Sequence, residues 1–193
     1  MILTKKFLTN EASRREILTE SQNRILNYNR EVFNEKRGYE LFLTHSYLDK
    51  KLIITLVELF NKANYSVYVD WINDSLLDRS NVTSKTAKKI KNRISESKGL
   101  AYIATSNIAN SKWCPWELGM GDGLLQGRAC ILPVLEEQSS RFNGQEYLGI
   151  YPYVEYAKVQ SSNKDEFWVV DPEEVNKYTS LQEWLNGNEL TYH

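Results

Sequence analysis

Glu117 follows Ser-Lys-Trp-Cys-Pro-Trp (residues 111–116) and is itself followed by Leu-Gly-Met-Gly-Asp-Gly (118–123). A carboxylate prefers water, so a glutamate among two tryptophans, a cysteine and a proline needs a reason to be there. Three reasons are available: a helix cap, an ion-pair partner or a catalyst. Pro115 suits the first position of a helix. That makes Cys114 the cap and Glu117 the third helical residue, where a glutamate closes a capping box. The box calls for Ser or Thr as partner, however, and the helix dipole adds only ~0.3–1 kcal/mol. Gly119, Gly121 and Gly123 do not make a phosphate loop, because they follow no strand and lack the GxGxxG spacing. The expectation for them is close packing of this helix against a neighbour. His45 and Ser46 form a second polar pair, directly after an apolar run. They read as hydrogen-bonded turn residues or as ligand contacts.

The elements that must position these groups alternate. Residues 39–46 and 65–71 read as strands, 49–63 as a helix with Leu52, Leu56, Leu59, Phe60 and Ala63 on one face, and 72–83 as a long polar loop. Residues 84–97 read as a helix with Ala87, Ile90 and Ile94 inward, then 99–105 as a strand. The Glu117 helix and a strand at 129–135 follow. Uniformly apolar strands alternating with helices imply a parallel sheet covered on both faces. Such sheets bind ligands beyond the carboxyl ends of their strands. Those ends carry His45 and Ser46, Trp71 and Asn73, and Ser106 and Asn107. Before the first strand, the spacing of Ile17, Ile25, Tyr28 and Val32 fits a helix over residues 10–37, capped by Asn10 and ended by Gly38. After Leu135 the pattern weakens to a loop, short strands near 153 and 167, and a terminal helix with Thr179 or Ser180 as cap and Gly187 as stop.

Composition excludes several classes. The 193 residues carry a formal charge of −1, so no global field favours nucleic acid or an acidic membrane. Cys114 and Cys130 make no CxxC, and His45 and His193 no cluster, so no metal site is expected. Free thiols fit a reducing cytoplasm. The start of the chain lacks the apolar core of a signal peptide, and no apolar run approaches the ~20 residues of a membrane span. Arg79, Lys85, Lys88, Lys89, Lys91 and Arg93 form a basic run. It reads as a solvated helix face, or as a lure for an anionic ligand or an assembly surface. No aromatic platform interleaves with it for nucleic acid.

Taken together, the landmarks resemble a Toll/interleukin-1 receptor (TIR) domain. Tyr-Glu-Leu-Phe-Leu-Thr-His-Ser-Tyr-Leu-Asp-Lys-Lys (39–51) is similar to the family's first box, residues 65–71 to its second strand, and 72–87 to its BB loop. Ser-Asn-Ile-Ala-Asn-Ser-Lys-Trp-Cys-Pro-Trp-Glu (106–117) resembles the segment carrying the catalytic glutamate of NAD-cleaving members, where a tryptophan lies four residues before the glutamate, as Trp113 does before Glu117. The resemblance covers residues 39–156 and implies a flavodoxin-like α/β fold. Residues 1–38 then form an N-terminal helical segment, and 157–193 a C-terminal extension packing on the TIR domain. With no receptor or membrane segment, the chain looks like a free-standing prokaryotic TIR protein, similar to those of Thoeris antiphage systems.

The resemblance implies cleavage of NAD+ as substrate, with no cofactor or metal. Nicotinamide is a cationic leaving group that departs neutral, so no general acid is needed, unlike the carboxylate pair of ordinary glycosidases. One carboxylate on the ribose hydroxyls can stabilise the oxocarbenium ion that remains. Glu117 takes the catalytic role on this reading, and His45, Ser46, Trp71, Asn73 and Trp113 line the substrate. The product is ADP-ribose or a cyclic ADP-ribose signal sensed by a separate effector, and homotypic contacts through residues 72–87 complete the site. The alternatives are a non-enzymatic TIR adaptor and a nucleoside deoxyribosyltransferase-like enzyme.

Overall fold

The structure is a computed structural model that describes residues 1–14, 24, 27, 38–74, 83–108, 111–138, 146–159, 162 and 164–193. Five parallel strands form its centre: β2 (Tyr39–Thr44), β3 (Val67–Tyr68), β4 (Ser97–Ala104), β5 (Ala129–Leu135) and β6 (Tyr153–Lys158). They lie side by side in the order β3-β2-β4-β5-β6. This is the doubly wound order in which the chain starts at a central strand, steps to one side and then crosses to the other. The crossing leaves a crevice beyond the carboxyl ends of β2 and β4. All six residues of β2 are buried, which explains why these strands read as continuous apolar runs rather than alternating ones.

Helices cover both faces. On one side α1 (Lys5–Arg14), α2 (Lys50–Lys62) and the short α6 (Leu181–Leu185) pack on Leu41, Leu43, Ile103 and Leu132. On the other, α4 (Ser84–Ser95) and α5 (Trp113–Leu124) pack on Phe42, Leu100, Tyr102 and Ile131. The strand residues alternate between these two cores, as the period of two requires. Thr83 caps α4 by accepting the Thr86 N–H at 3.2 Å. Of the three glycines in α5, only Gly121 meets a neighbour closely, with Leu100 where its side chain would stand; Gly119 and Gly123 face open space.

The ends of the chain are built into the same sheet. Leu3–Thr4 forms a short strand, β1, parallel to the end of β5. Ile2, Leu3 and Leu8 are each 1% exposed, and the N-terminal ammonium pairs with Glu155 at 2.8 Å. The first helix therefore starts at Lys5, earlier than the spacing suggested. Thr4 takes the capping place by accepting the Phe7 N–H at 3.1 Å, and Asn10 lies inside the helix. Of the apolar stripe expected over residues 10–37, Ile17, Ile25, Tyr28 and Val32 lie outside the described residues. Beyond β6, the strands β7 (Asp165–Val170), β8 (Lys177–Ser180) and β9 (Thr191–Tyr192) add to the edge as an antiparallel meander. Ser180 caps α6 and Gly187, at φ +102°, stops it.

The expected strand over 65–71 is shorter. After Tyr68 the chain turns into the one-turn helix α3 (Asp70–Asn73), because the Asn73 side chain accepts the Val69 N–H at 2.9 Å. Asp74 then anchors the turn to α4, with Lys89 at 2.6 Å, Arg93 at 2.9 Å and the Tyr68 hydroxyl at 2.9 Å. Burial pushes the Asp74 carboxyl up, but these donors outweigh it and hold it below the ordinary aspartate range.

Two outcomes follow. Leu8→Ala leaves a cavity under α1 and should lower stability by about 2–5 kcal/mol, read as a shift of the urea unfolding midpoint. The stabilisation carried by Asp74 is complete above the unfolded pKa of about 3.9 and is lost as the pH falls through the lower folded value. Parent and Asp74→Asn should therefore differ in urea stability at neutral pH and converge in acid below about pH 4.

Candidate functional site

The carboxyl end of β2 supplies the first two groups. Thr44 and His45 are 0% and 2% exposed. The Thr44 hydroxyl donates to Oε2 of Glu117 across a very short hydrogen bond. Glu117 is itself 0% exposed. Its helix begins at Trp113, two residues before Pro115, with the Ser111 hydroxyl accepting the Cys114 N–H at 3.2 Å. Glu117 is thus the fifth helical residue and closes no capping box with Cys114. The earlier start places Trp113 one turn before Glu117, on the same side of the helix. Trp113 is half-buried and meets the exposed Trp116 edge-on, ring centroids 5.3 Å apart.

His45 is held on every polar side. Its Nδ1–H donates to the Leu43 carbonyl at 3.0 Å, and its Nε2 accepts the Trp71 indole N–H at 2.9 Å. These partners assign the neutral ring with the proton on Nδ1. Asp70 Oδ1 stands 3.7 Å from the same Nε2, a distance compatible with an ion pair only if that nitrogen carried a proton. The shorter Trp71 bond needs the lone pair there, so it decides in favour of the neutral form. The His45 carbonyl accepts the Cys114 S–H at 3.3 Å. One residue therefore ties β2, α3 and α5 together around Glu117.

The crevice between β2 and β4 is bridged by Asp49. This residue stands at the N-cap position of α2, but its side chain makes no capping bond. It accepts instead from the Thr105 hydroxyl and the Asn107 amide, both at 2.6 Å. The turn after β2 is thereby fastened to the loop after β4. Ser46 caps the intervening 3₁₀ turn (Tyr47–Asp49), accepting the Leu48 N–H at 3.3 Å.

Of the residues selected from the sequence, Glu117, His45, Trp71 and Trp113 come together around the end of β2, with Ser46 on the adjoining turn. Asn73 is engaged elsewhere, with its amide on the Tyr39 hydroxyl at 3.2 Å and its carbonyl on Val69. Thr44, Cys114 and Asp49 belong to the cluster and had no separate signal beyond standing in the quoted motifs. Among the described residues no group of histidine, cysteine and acidic side chains could hold a metal. No helix among them is long and apolar enough to cross a membrane.

No protein-family model matches the chain. Individual proteins do. A probable 3′ cyclic ADP-D-ribose synthase, ThsB′, of Bacillus cereus (strain MSX-D12) is 40% identical over 157 residues, covering 81% of this chain and 80% of that protein. This chain belongs to the Toll/interleukin-1 receptor family. A putative cyclic ADP-D-ribose synthase, TIR2, of Cytobacillus dafuensis is 36% identical over 97 residues, half of this chain but only 26% of that longer protein. The strand order matches the flavodoxin-like arrangement expected of a TIR domain. Residues 75–82 of the segment likened to the BB loop, Arg79 among them, lie outside the described residues.

The TIR cluster makes a test of the Thr44–Glu117 contact possible without any ligand. Removing a donor from a buried charged acceptor costs about 1–3 kcal/mol. Thr44→Val should lower the unfolding free energy by that amount, read as a lower urea midpoint, whereas Thr44→Ser, which keeps the hydroxyl, should stay close to the parent.

Proposed function

We propose that this TIR protein cleaves the nicotinamide–ribose bond of NAD+ and closes the ADP-ribosyl fragment into a cyclic ADP-ribose. The observation that carries this reading is the 40% identity, over 81% of the chain, to a protein named as a cyclic ADP-ribose synthase. The buried carboxylate of Glu117 agrees with it.

Nicotinamide leaves with the bonding electron pair and becomes neutral, and positive charge develops on the ribose at C1′. Glu117 stabilises that charge and orients the ribose hydroxyls. The Thr44 hydroxyl already donates to this carboxylate as a ribose hydroxyl would. A nucleophile within the same ADP-ribose then attacks C1′ and loses a proton, giving the cyclic product; attack by water gives ADP-ribose. The aromatic faces of Trp113, one turn before Glu117, and of Trp71, bonded to His45, both half-buried, are the candidates to hold the nicotinamide ring. His45 and Ser46 shape the floor. A carboxylate with no exposed surface must be uncovered before substrate reaches it, so turnover includes a local opening of the shell around Glu117.

The wider setting is part of the same reading. The product serves as a signal in antiphage defence of the Thoeris type, sensed by a separate effector, and the enzyme works in the cytoplasm through homotypic TIR contacts made by residues 72–87. The basic face of α4 and the sequence resemblance support the assembly.

Glu117→Gln keeps size and most hydrogen bonding but removes the charge. It should unfold like the parent yet release nicotinamide at least ~100-fold more slowly, the usual loss when one electrostatic contact to the transition state goes. Mass spectrometry of the parent reaction should show a nucleotide one water lighter than ADP-ribose. Near-parental nicotinamide release by the Gln variant would remove Glu117 from the chemistry.

A further inference from the structure

Lys50 is the first residue of α2, directly after the turn that leaves β2. Its ammonium lies 3.8 Å from the centroid of the Tyr47 ring and 5.0 Å from that of Trp71. Trp71 is the residue whose indole fixes His45, so Lys50 borders the cluster around Glu117. Lys5, Lys89, Lys98 and Lys177 all have carboxylate partners within 4 Å. The ammonium of Lys50 has none among the described residues. The adjacent carboxylate is committed elsewhere. Asp49 accepts from Thr105 and Asn107, both at 2.6 Å. Tyr47 and Lys50 also line a groove of about 620 Å³ between α1 and the turn after β2, so the ammonium fronts open space rather than packed core. Tyr47 is 63% exposed there.

An ammonium resting on two aromatic faces is weakly held. It exchanges that contact readily for a charge-assisted hydrogen bond to a phosphate oxygen, which is shorter and stronger. The turn that carries Lys50 is fastened across the crevice by Asp49, so the cation is presented from a fixed mount. The reacting ribose of NAD+ is joined through its 5′ oxygen to a diphosphate. A ligand whose ribose sits on Glu117 therefore needs a cation at the rim of the same cluster.

We propose that Lys50 binds the diphosphate of the dinucleotide substrate. This rests on the NAD+ reading above and adds the residue that distinguishes a dinucleotide from an uncharged nucleoside.

The test uses the full chain and two readouts. In NAD+ turnover, Lys50→Met should raise KM about tenfold or more, the usual effect of losing one hydrogen bond to a charged group, with a much smaller change in kcat. Lys50→Arg should recover most of the loss. In calorimetric titrations on a Glu117→Gln background, the added Lys50→Met should weaken ADP binding by a similar factor and leave adenosine binding alone. Equal KM and equal ADP affinity in parent and Lys50→Met would overturn the proposal. So would a loss of ADP and adenosine binding together that arginine does not restore, since that marks a packing role for the aliphatic stem. If the parent releases no nicotinamide, the NAD+ reading fails instead, and the ADP and adenosine titrations still judge Lys50 by themselves.

Discussion

A carboxylate with no solvent contact is the constraint on which the centre of this protein turns. Moving a charged group out of water is costly unless hydrogen bonds replace the lost solvation. For Glu117 one such bond comes from Thr44, the last residue of β2. Strand β2 and helix α5 are separated by about seventy residues of chain, so the contact fixes the end of the first parallel strand against the start of a distant helix. The neighbouring Cys114–His45 contact makes the same connection one turn earlier. Misplacing α5 would leave the carboxylate buried without its donor, which penalises alternative packings more than apolar contacts alone could.

The sheet order supplies the rest of the geometry. Because β2 is the first of the five central parallel strands and has β3 and β4 on opposite sides of it, the loops after β2 and β4 diverge into opposite layers. Divergence opens space, and Asp49 limits it by bonding to Thr105 and Asn107. The site is therefore held by two ties. One runs from β2 to the α5 layer through Thr44 and His45, and the other runs along the crevice through Asp49. Thr44 is the last residue of β2 and Thr105 the first beyond β4, so one partner in each tie stands where the sheet sets the backbone.

Much of this was legible in the sequence, for physical reasons. Strands buried on both faces must be continuous apolar runs, so β2, β4 and β5 stood out; β5 was read at Ala129–Leu135 and is found there. The amphipathic faces of α2 and α4 were equally plain. The misreadings occur where a side chain competes with the backbone. Asn73 takes the Val69 N–H and bends a strand into α3. The Ser111 hydroxyl takes the Cys114 N–H and starts α5 ahead of Pro115. Strand β1 was invisible because two residues carry no period; only its pairing with β5 makes it a strand. Thr44 and Asp49 could be seen as members of a motif, but their partners lie fifty or more residues away, and no local pattern records such distances.

The fate of the two titratable residues at the end of β2 and the start of α5 bears on the chemistry. Both ring nitrogens of His45 are committed, one as donor to Leu43 and the other as acceptor from Trp71. A histidine so held delivers no proton without breaking a buried bond. On the proposed reaction that is no handicap. The departing nicotinamide needs no acid, because its ring nitrogen was cationic before the bond broke. A reaction with a leaving group of higher basicity would need a second carboxylate or a free imidazole. On that proposal, one buried carboxylate beside an immobilised neutral histidine stabilises a sugar cation and moves no proton. His45 then contributes as a strut, keeping Trp71 and the end of β2 in register with Glu117. On the proposed reaction, a preference for a pre-charged leaving group would follow from the acid–base group the site withholds.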